Sequence, residues 1–297
     1  MIELLSEEKI KSDDYSRIRW EFYDIWNKLF ANKIQIDKVV FRKFGKFWFL
    51  GDFISKLPPL NNLWFIPKFN GIVLNSDVIL RSNQLWMARA WEYPWALLNS
   101  HISPNTRILD VGSGHSLFPL YLAQKSSNVD SVDTDERQMK ILCPALADIL
   151  KLKVNYFVDD AVNLSAKDNT YDYVFCISVI EHLEEEMENG IPINRHTNKL
   201  DRRAIREFIR VIKPGGRVIL TLDYASKDIS LRSFDFDYAK DLIEEFSANL
   251  LKPLDNLDEI QFTTETENEM RKLWSEFFPY DPAYPPGAAL GIILTKR

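Results

Sequence analysis

The sequence has few cysteines, no surplus of positive charge and no long apolar run. Its two cysteines, Cys143 and Cys176, are too few for a disulfide scaffold, and their apolar surroundings indicate core packing. A formal net charge of −6 disfavours nonspecific binding to nucleic acid or to an anionic membrane. Runs such as FWFL are too short to span a bilayer, and the opening MIELLSEEKIKSDD lacks the pattern of a secretory signal. We therefore expect a cytoplasmic protein without a membrane span or a nucleic-acid partner.

The residues that are present indicate a globular protein with a region of different composition at its start. Apolar residues make up 46% and charged residues 27% of the 297 residues, a balance typical of a chain that buries a core. Most of the eight tryptophans lie before residue 100. We predict a mainly helical, aromatic-rich cap region over residues 1–84 and a second domain over residues 85–297, with an insert at 184–199.

Strand-like and helix-like segments alternate from about residue 105 onward. Apolar segments with strand character begin at residues 106, 128, 154, 171 and 217, and a late strand is predicted after Gly287. The first of them is predicted to end at Asp110 and the second at Asp133, and the others extend to residues 161, 180 and 224. Helical periodicity covers the intervening segments, and KPGG at 213–216 predicts a turn. This alternation predicts an α/β fold with a doubly wound, mostly parallel sheet and helices on both faces.

A glycine-containing turn, DVGSGHS, follows the first of these strands and is the strongest functional signal. A ligand approaches the backbone closely at such a turn because glycine has no Cβ. A P-loop is disfavoured because no Lys-Ser or Lys-Thr follows Gly114 at the required spacing. A dinucleotide fingerprint fits Gly112 and Gly114 but has Leu117 in place of the third glycine. The remaining alternative is a ligand that uses the acid before the turn, Asp110, and no phosphate.

Five segments in order resemble the class I S-adenosylmethionine-dependent methyltransferases. They are DVGSGHS, SVDTDE, VDDA, YDYVFCISVIEHL and IKPGGRVILTLDY, and they are closest to the small-molecule group with a run like SVIEHL after its fourth strand. The resemblance covers about residues 85–225. It implies a Rossmann-like fold, S-adenosyl-L-methionine as cofactor, and methyl transfer to a small, partly apolar acceptor by direct in-line displacement.

The same resemblance implies a set of cofactor-binding residues. Asp110 would meet the amino group, Asp133 the ribose diol, Asp160 the adenine amine, and Arg89 the carboxylate. Asp135 and Asp159 remain alternatives if the strands end one or two residues differently. Family members often have glycine where this chain has Ser116, which we expect to cap the next helix. The full set is Arg89, Asp110, Gly112, Ser113, Gly114, Asp133, Thr134, Asp160, Ala161, Ile177 and Ser178.

The catalytic group and the role of metals are less clearly indicated. His182, Asp223 and Tyr224 are candidates for a base if the acceptor is a hydroxyl. Ubiquinone-pathway O-methyltransferases resemble this region but have a glutamate where this chain has Ser178. Glu181 and His182 alone make a poor divalent site, so we expect no metal. Two other hypotheses are a cofactor-binding regulatory or inactive partner subunit, and aminopropyl transfer.

Overall fold

A computed structural model describes most of the predicted second domain and the start of the chain. The predicted insert at 184–199 lies outside the described residues except for the short paired strands Met187–Glu188 and Ile191–Pro192. Most of residues 37–86 also lie outside them, except the paired strands Lys68–Phe69 and Ile72–Val73. The described residues are 1–33, 35–36, 68–69, 72–73, 87–183, 187–188, 191–192, 200–225, 234–251, 263–277 and 288–297.

The centre of the molecule is a seven-stranded sheet of order β1-β7-β6-β5-β2-β3-β4. Strands β2 to β6 run parallel to one another, and β7 is antiparallel to both of its neighbours. This arrangement confirms the predicted mostly parallel sheet. The strands are β1 (Ile2–Leu4), β2 (Arg107–Val111), β3 (Asn128–Asp133), β4 (Asn155–Val158), β5 (Tyr171–Ile177), β6 (Ile212–Tyr224) and β7 (Ala288–Thr295).

Helices cover both faces of this sheet. Helices α2 to α5 pack on one face, where Phe22, Trp95, Phe118 and Leu146 belong to one buried cluster. Helices α6 and α7 contribute to a second buried cluster with the other side of β6. The helices are α1 (Glu7–Lys11), α2 (Asp13–Ala31), α3 (Met87–Leu98), α4 (Phe118–Lys125), α5 (Cys143–Leu150), α6 (Leu200–Val211), α7 (Phe236–Phe246) and α8 (Thr264–Phe277).

The first 31 residues contribute directly to the sheet and to its core. In β1, Ile2 pairs with Ile292 of β7 and forms the edge of the sheet. In α2, the Phe22 ring stacks on Tyr121 of α4 and Tyr93 of α3, with centroid distances of 4.5 and 5.0 Å. The apolar periodicity of α2 is therefore the periodicity of a core-facing helix. The proposed boundary at residue 84 stays a prediction.

Several element boundaries differ from the prediction, among them the end of β4, which lies at Val158 and not at residue 161. Strand β5 ends at Ile177, because Ser178 adopts a left-handed backbone with φ of +48° and a 3₁₀ turn covers Ile180–His182. The predicted turn 213–216 lies inside β6 as a bulge, since Gly215 N–H donates to Lys296 O at 2.9 Å. The helical segment from residue 136 divides into a π-helix, Gln138–Leu142, and α5.

Helix α3 packs against the sheet through its tryptophans. Trp91 and Trp95 are fully buried and stack with a centroid distance of 5.3 Å, and Pro94 lies inside the helix. A Cβ on Gly291 of β7 would lie 2.6 Å from the Trp95 ring. This close contact brings α3 over the carboxyl ends of β5 and β6, where the predicted site residues lie.

Candidate functional site

The turn after β2 requires glycine at position 112. Gly112 has φ of +69°, and its N–H donates to Val132 O of the neighbouring strand at 2.8 Å. A Cβ at this position would lie 2.5 Å from both methyl groups of Val179. Gly114 has φ of +51°, and its N–H donates to Asp133 Oδ2 at 2.9 Å. The turn is therefore held against the end of β3. Because its glycines have no side chain, a ligand can approach the backbone closely at the carboxyl ends of the strands.

The two serines of the turn belong to its internal hydrogen bonding. Ser113 Oγ accepts a bond of 2.7 Å from Ser131 Oγ, and Ser116 N–H donates to Ser113 O at 3.0 Å. The prediction that Ser116 caps a helix is wrong. Helix α4 begins at Phe118 with Leu117 at its N-cap and no side-chain cap bond. Ser116 lies one residue before this N-cap, and its side chain contacts Tyr93 instead.

Asp110 is a buried carboxylate that needs a partner. Its side chain is 3% exposed, and Oδ2 has no hydrogen-bond partner among the residues that the structure describes. Burial raises the pKa of Asp110 well above its usual value, the charge of Asp133 raises it further, and Arg89 opposes this shift. A cationic hydrogen-bond donor placed here would satisfy the oxygen and compensate for its lost hydration.

At the end of β3, the structure separates Asp133 from its alternative. The Asp133 carboxylate accepts from Gly114 N–H through one oxygen and from Asp135 N–H through the other, each at 2.9 Å. Asp135 instead accepts from the backbone N–H groups of Arg137 and Gln138 at the start of the following helix. A carboxylate has about four acceptor positions, so Asp133 keeps capacity for a diol beside the turn. Thr134 follows it on the surface.

At the end of β4, two adjacent aspartates differ in the same way. Asp159 Oδ2 accepts from both the backbone N–H and the hydroxyl of Ser165, at 2.9 and 2.8 Å, so its role is to close this loop. Asp160 is exposed and accepts from Val162 N–H at 3.0 Å. Ala161 is buried beside it. Asp160 is therefore the more exposed of the two and accepts fewer side-chain hydrogen bonds, and its assignment to a ligand stays a prediction.

Beyond β5, the structure adds residues that the sequence analysis missed. Ile177 and Ser178 are nearly buried, and the Ser178 hydroxyl donates to Glu92 Oε1. Thr221 Oγ1 donates to the same oxygen at 2.8 Å, and Arg89 donates to Glu92 Oε2. Glu92 is fully buried in α3. The sequence did contain a signal for Glu92, which is an acid between two aromatic residues of an apolar helix. A carboxylate buried in such a helix needs several hydrogen-bond donors.

The three candidate bases lie in different environments. Tyr224 is fully buried in the cluster beneath α7, on the face of β6 opposite to Thr221, so the structure does not bring it to the site. His182 is exposed in the 3₁₀ turn, and Asp223 is half-buried near the end of β6. The sequence analysis considered Glu181 only as a metal ligand and not as a base, and its side chain is 1% exposed. Burial raises the pKa of Glu181 well above its usual value, and the charges of Asp223 and Glu92 raise it further.

Acidic side chains predominate at this end of the sheet. Asp110, Asp133, Glu92, Glu181 and Asp223 all lie near the carboxyl ends of the parallel strands, together with the guanidinium of Arg89. Within the described ranges, no group of three or more His, Cys, Asp or Glu side chains is arranged to hold a metal ion. This arrangement suits an organic ligand with positive charge and a carboxylate. In the same part of the chain, no helix is long and apolar enough to cross a membrane.

A comparison with protein families finds a match over the part of the chain that contains this site. Residues 109–220 match the family model described as a methyltransferase domain. This match includes the glycine turn and identifies a methyltransferase domain in this part of the chain.

Individual relatives are distant. The chain is 27% identical to the ubiquinone biosynthesis O-methyltransferase of Rickettsia akari over 186 residues, 62% of this chain and 66% of that protein. It is 36% identical to norajmaline N-methyltransferase of Rauvolfia serpentina over 86 residues, 29% of this chain and 24% of that protein. The chain thus spans less than two thirds of the length of either relative. The YcgJ protein of Bacillus subtilis aligns with a TM-score of 0.48 at 14% identity, covering 69% of this chain and 98% of that chain.

Proposed function

We propose that this chain transfers the methyl group of S-adenosylmethionine to an oxygen of a small, partly apolar acceptor. The observation on which this proposal chiefly rests is the buried Asp110 carboxylate, whose Oδ2 has no partner among the described residues beside a turn that requires glycine at position 112. An ammonium group is the donor that such an oxygen requires. A nucleoside phosphate would be repelled by the same carboxylate.

In this proposal, residues at successive strand ends bind different parts of the cofactor. Asp110 accepts from the amino group of the cofactor. Because Gly112 has no side chain, the amino-acid part of the cofactor can lie close to the turn. Asp133 accepts from the ribose hydroxyls with the acceptor capacity that its two backbone bonds leave. Asp160 accepts from the adenine amine, and Arg89 donates to the carboxylate. Thr134, Ala161 and Ile177 supply the neighbouring surface.

The cofactor supplies a methyl group already activated by a positive sulfonium. The protein therefore needs to align the acceptor oxygen, exclude water and remove one proton. We assign the role of proton acceptor to Glu181, near Asp223, because burial and the charge of Asp223 raise the pKa of Glu181. Oxygen as the acceptor atom is supported by the relatives named ubiquinone biosynthesis O-methyltransferases, three of which align over 59–65% of this chain.

Two measurements on the purified chain test this proposal. Isothermal titration calorimetry with S-adenosylmethionine should give saturable binding, and no binding up to millimolar concentration would exclude the proposal. Steady release of S-adenosylhomocysteine with a catechol acceptor such as 3,4-dihydroxybenzoate should follow. Binding without turnover on hydroxyl or amine acceptors would favour a regulatory subunit instead. Release of methylthioadenosine from the decarboxylated cofactor would favour aminopropyl transfer.

A further inference from the structure

The buried carboxylate of Glu92 joins three separate elements at the site. Its Oε1 accepts from the hydroxyls of Ser178 and Thr221, and its Oε2 accepts from the guanidinium of Arg89. These donors come from α3, from the residue after β5, and from β6. The two hydroxyls lie 86 and 129 residues from Glu92 in sequence. We call these four residues the Glu92 cluster.

The Glu92 cluster has a composition that stability alone does not favour. Glu92 is 0% exposed, and burying a carboxylate is unfavourable unless several donors satisfy it. Apolar residues of similar size often replace buried charged groups without loss of stability. The cluster also includes a strained residue, because Ser178 has φ of +48° and its N–H donates to both Thr221 O and Thr221 Oγ1. Strained backbone and buried polar groups together are typical of functional sites.

The position of Arg89 indicates what the cluster does. Its charge acts on Asp110 at the glycine turn and on Glu181 beyond β5. Arg89 is also about one third exposed and lies over the Tyr93 ring, with 5.8 Å from its guanidinium carbon to the ring centroid. A guanidinium has five N–H donors in one plane, so a fixed bond to Glu92 also fixes where the remaining donors point.

We propose that Glu92 is a positioning residue that orients Arg89 toward the carboxylate of the cofactor. This inference rests on the proposed function, because it assigns Arg89 to that carboxylate. Glu92 itself does not touch the ligand in this proposal. Loss of its charge removes the anchor of Arg89 and leaves the binding of the adenosine part unchanged.

Two ligands that differ only in the amino-acid part separate this role from a structural one. S-adenosylhomocysteine contains the amino and carboxylate groups, and 5′-methylthioadenosine lacks both. For Glu92→Gln, calorimetry should show at least a tenfold loss of affinity for S-adenosylhomocysteine and less than a twofold change for 5′-methylthioadenosine. An equal loss of affinity for both ligands, or no loss for either, would overturn the inference. The proposed function would still stand in that case if the wild-type chain binds S-adenosylhomocysteine. A wild-type chain that binds neither ligand would overturn both.

Two further variants complete the experiment. Asp130→Asn is the matched control, since Asp130 is a buried carboxylate of the same sheet that accepts from Asn155 and Tyr171 away from the site. It should leave the affinity ratio of the two ligands unchanged, and a change as large as that of Glu92→Gln would overturn the inference. Thr221→Val removes one donor to Glu92 and one of the two acceptors of Ser178 N–H with little change in side-chain shape, and it covers the case that Glu92→Gln does not fold. It should lower the affinity for S-adenosylhomocysteine about threefold or more and leave the affinity for 5′-methylthioadenosine unchanged. Equal effects on both affinities would overturn the inference.

Discussion

Replacing Asp110 with asparagine should make the protein more stable and make it bind its cofactor less well. The carboxylate is 3% exposed and has one oxygen without a partner among the described residues. Asparagine leaves a polar atom at this position but removes the buried charge, and each unit by which the folded state raises a pKa corresponds to about 1.4 kcal/mol, so the substitution should recover about 1 kcal/mol near neutral pH. For a chain of this length, that gain corresponds to an increase of about 2–4 °C in Tm. Thermal unfolding without ligand measures it.

The same substitution removes the acceptor for a charged donor. A hydrogen bond to a charged group contributes about 1.5–3 kcal/mol, so affinity for S-adenosylhomocysteine should fall roughly 10- to 100-fold. Calorimetry on both proteins measures this difference. If the Tm of Asp110→Asn falls together with its affinity, Asp110 stabilises the fold and the reasoning is refuted.

The stability gain of Asp110→Asn should also depend on pH. Burial raises the pKa of Asp110 in the folded state above its unfolded value. The wild-type chain therefore has its full stability below the unfolded pKa of about 3.9 and loses stability as the pH rises through the raised folded pKa. The Tm difference should be smallest near pH 4 and should grow toward neutral pH. A difference that shrinks with rising pH would contradict the assigned direction.

A matched carboxylate provides the control for these measurements. Asp130 is 8% exposed and accepts from Asn155 Nδ2 and the Tyr171 hydroxyl, at 2.7 and 2.8 Å. Because both of its oxygens have donors, Asp130→Asn should lower Tm and leave ligand affinity unchanged. A higher Tm for Asp110→Asn and a lower Tm for Asp130→Asn would show that the effect depends on whether the carboxylate has hydrogen-bond donors.

Three further predictions follow from other contacts. Gly112→Ala should abolish cofactor binding in calorimetry and lower Tm more than Gly215→Ala, because both have positive φ but only Gly112 has side-chain atoms within 4 Å of the new Cβ; equal effects would refute the clash. Glu181→Gln should remove the acidic limb of the kcat/KM profile, since a base with a raised pKa is protonated as the pH falls; an unchanged limb would exclude Glu181. Gly291→Ala should lower Tm by displacing the Trp95 ring, and an unchanged Tm would refute that contact.

Much of the fold and part of the site could be predicted from local sequence patterns. The alternation of strand and helix periodicity was sufficient for the parallel sheet, because both patterns reflect which face of an element is buried. The glycine turn and the acid before it were also visible, since a positive φ favours glycine wherever it occurs. The predicted choice of Asp133 and Asp160 over their neighbours depended on strand ends, which sequence patterns locate only within a few residues.

The remaining features depend on contacts between residues that are far apart in the chain. Nothing local indicated that Ile2 pairs with Ile292, or that Glu92 meets the hydroxyls of Ser178 and Thr221. Gly112 illustrates the division: its sequence context indicated a turn, but Val179, brought there from beyond β5, is what excludes any larger side chain. Local propensities act through the backbone of each segment, whereas packing and the pairing of buried charges require the folded chain.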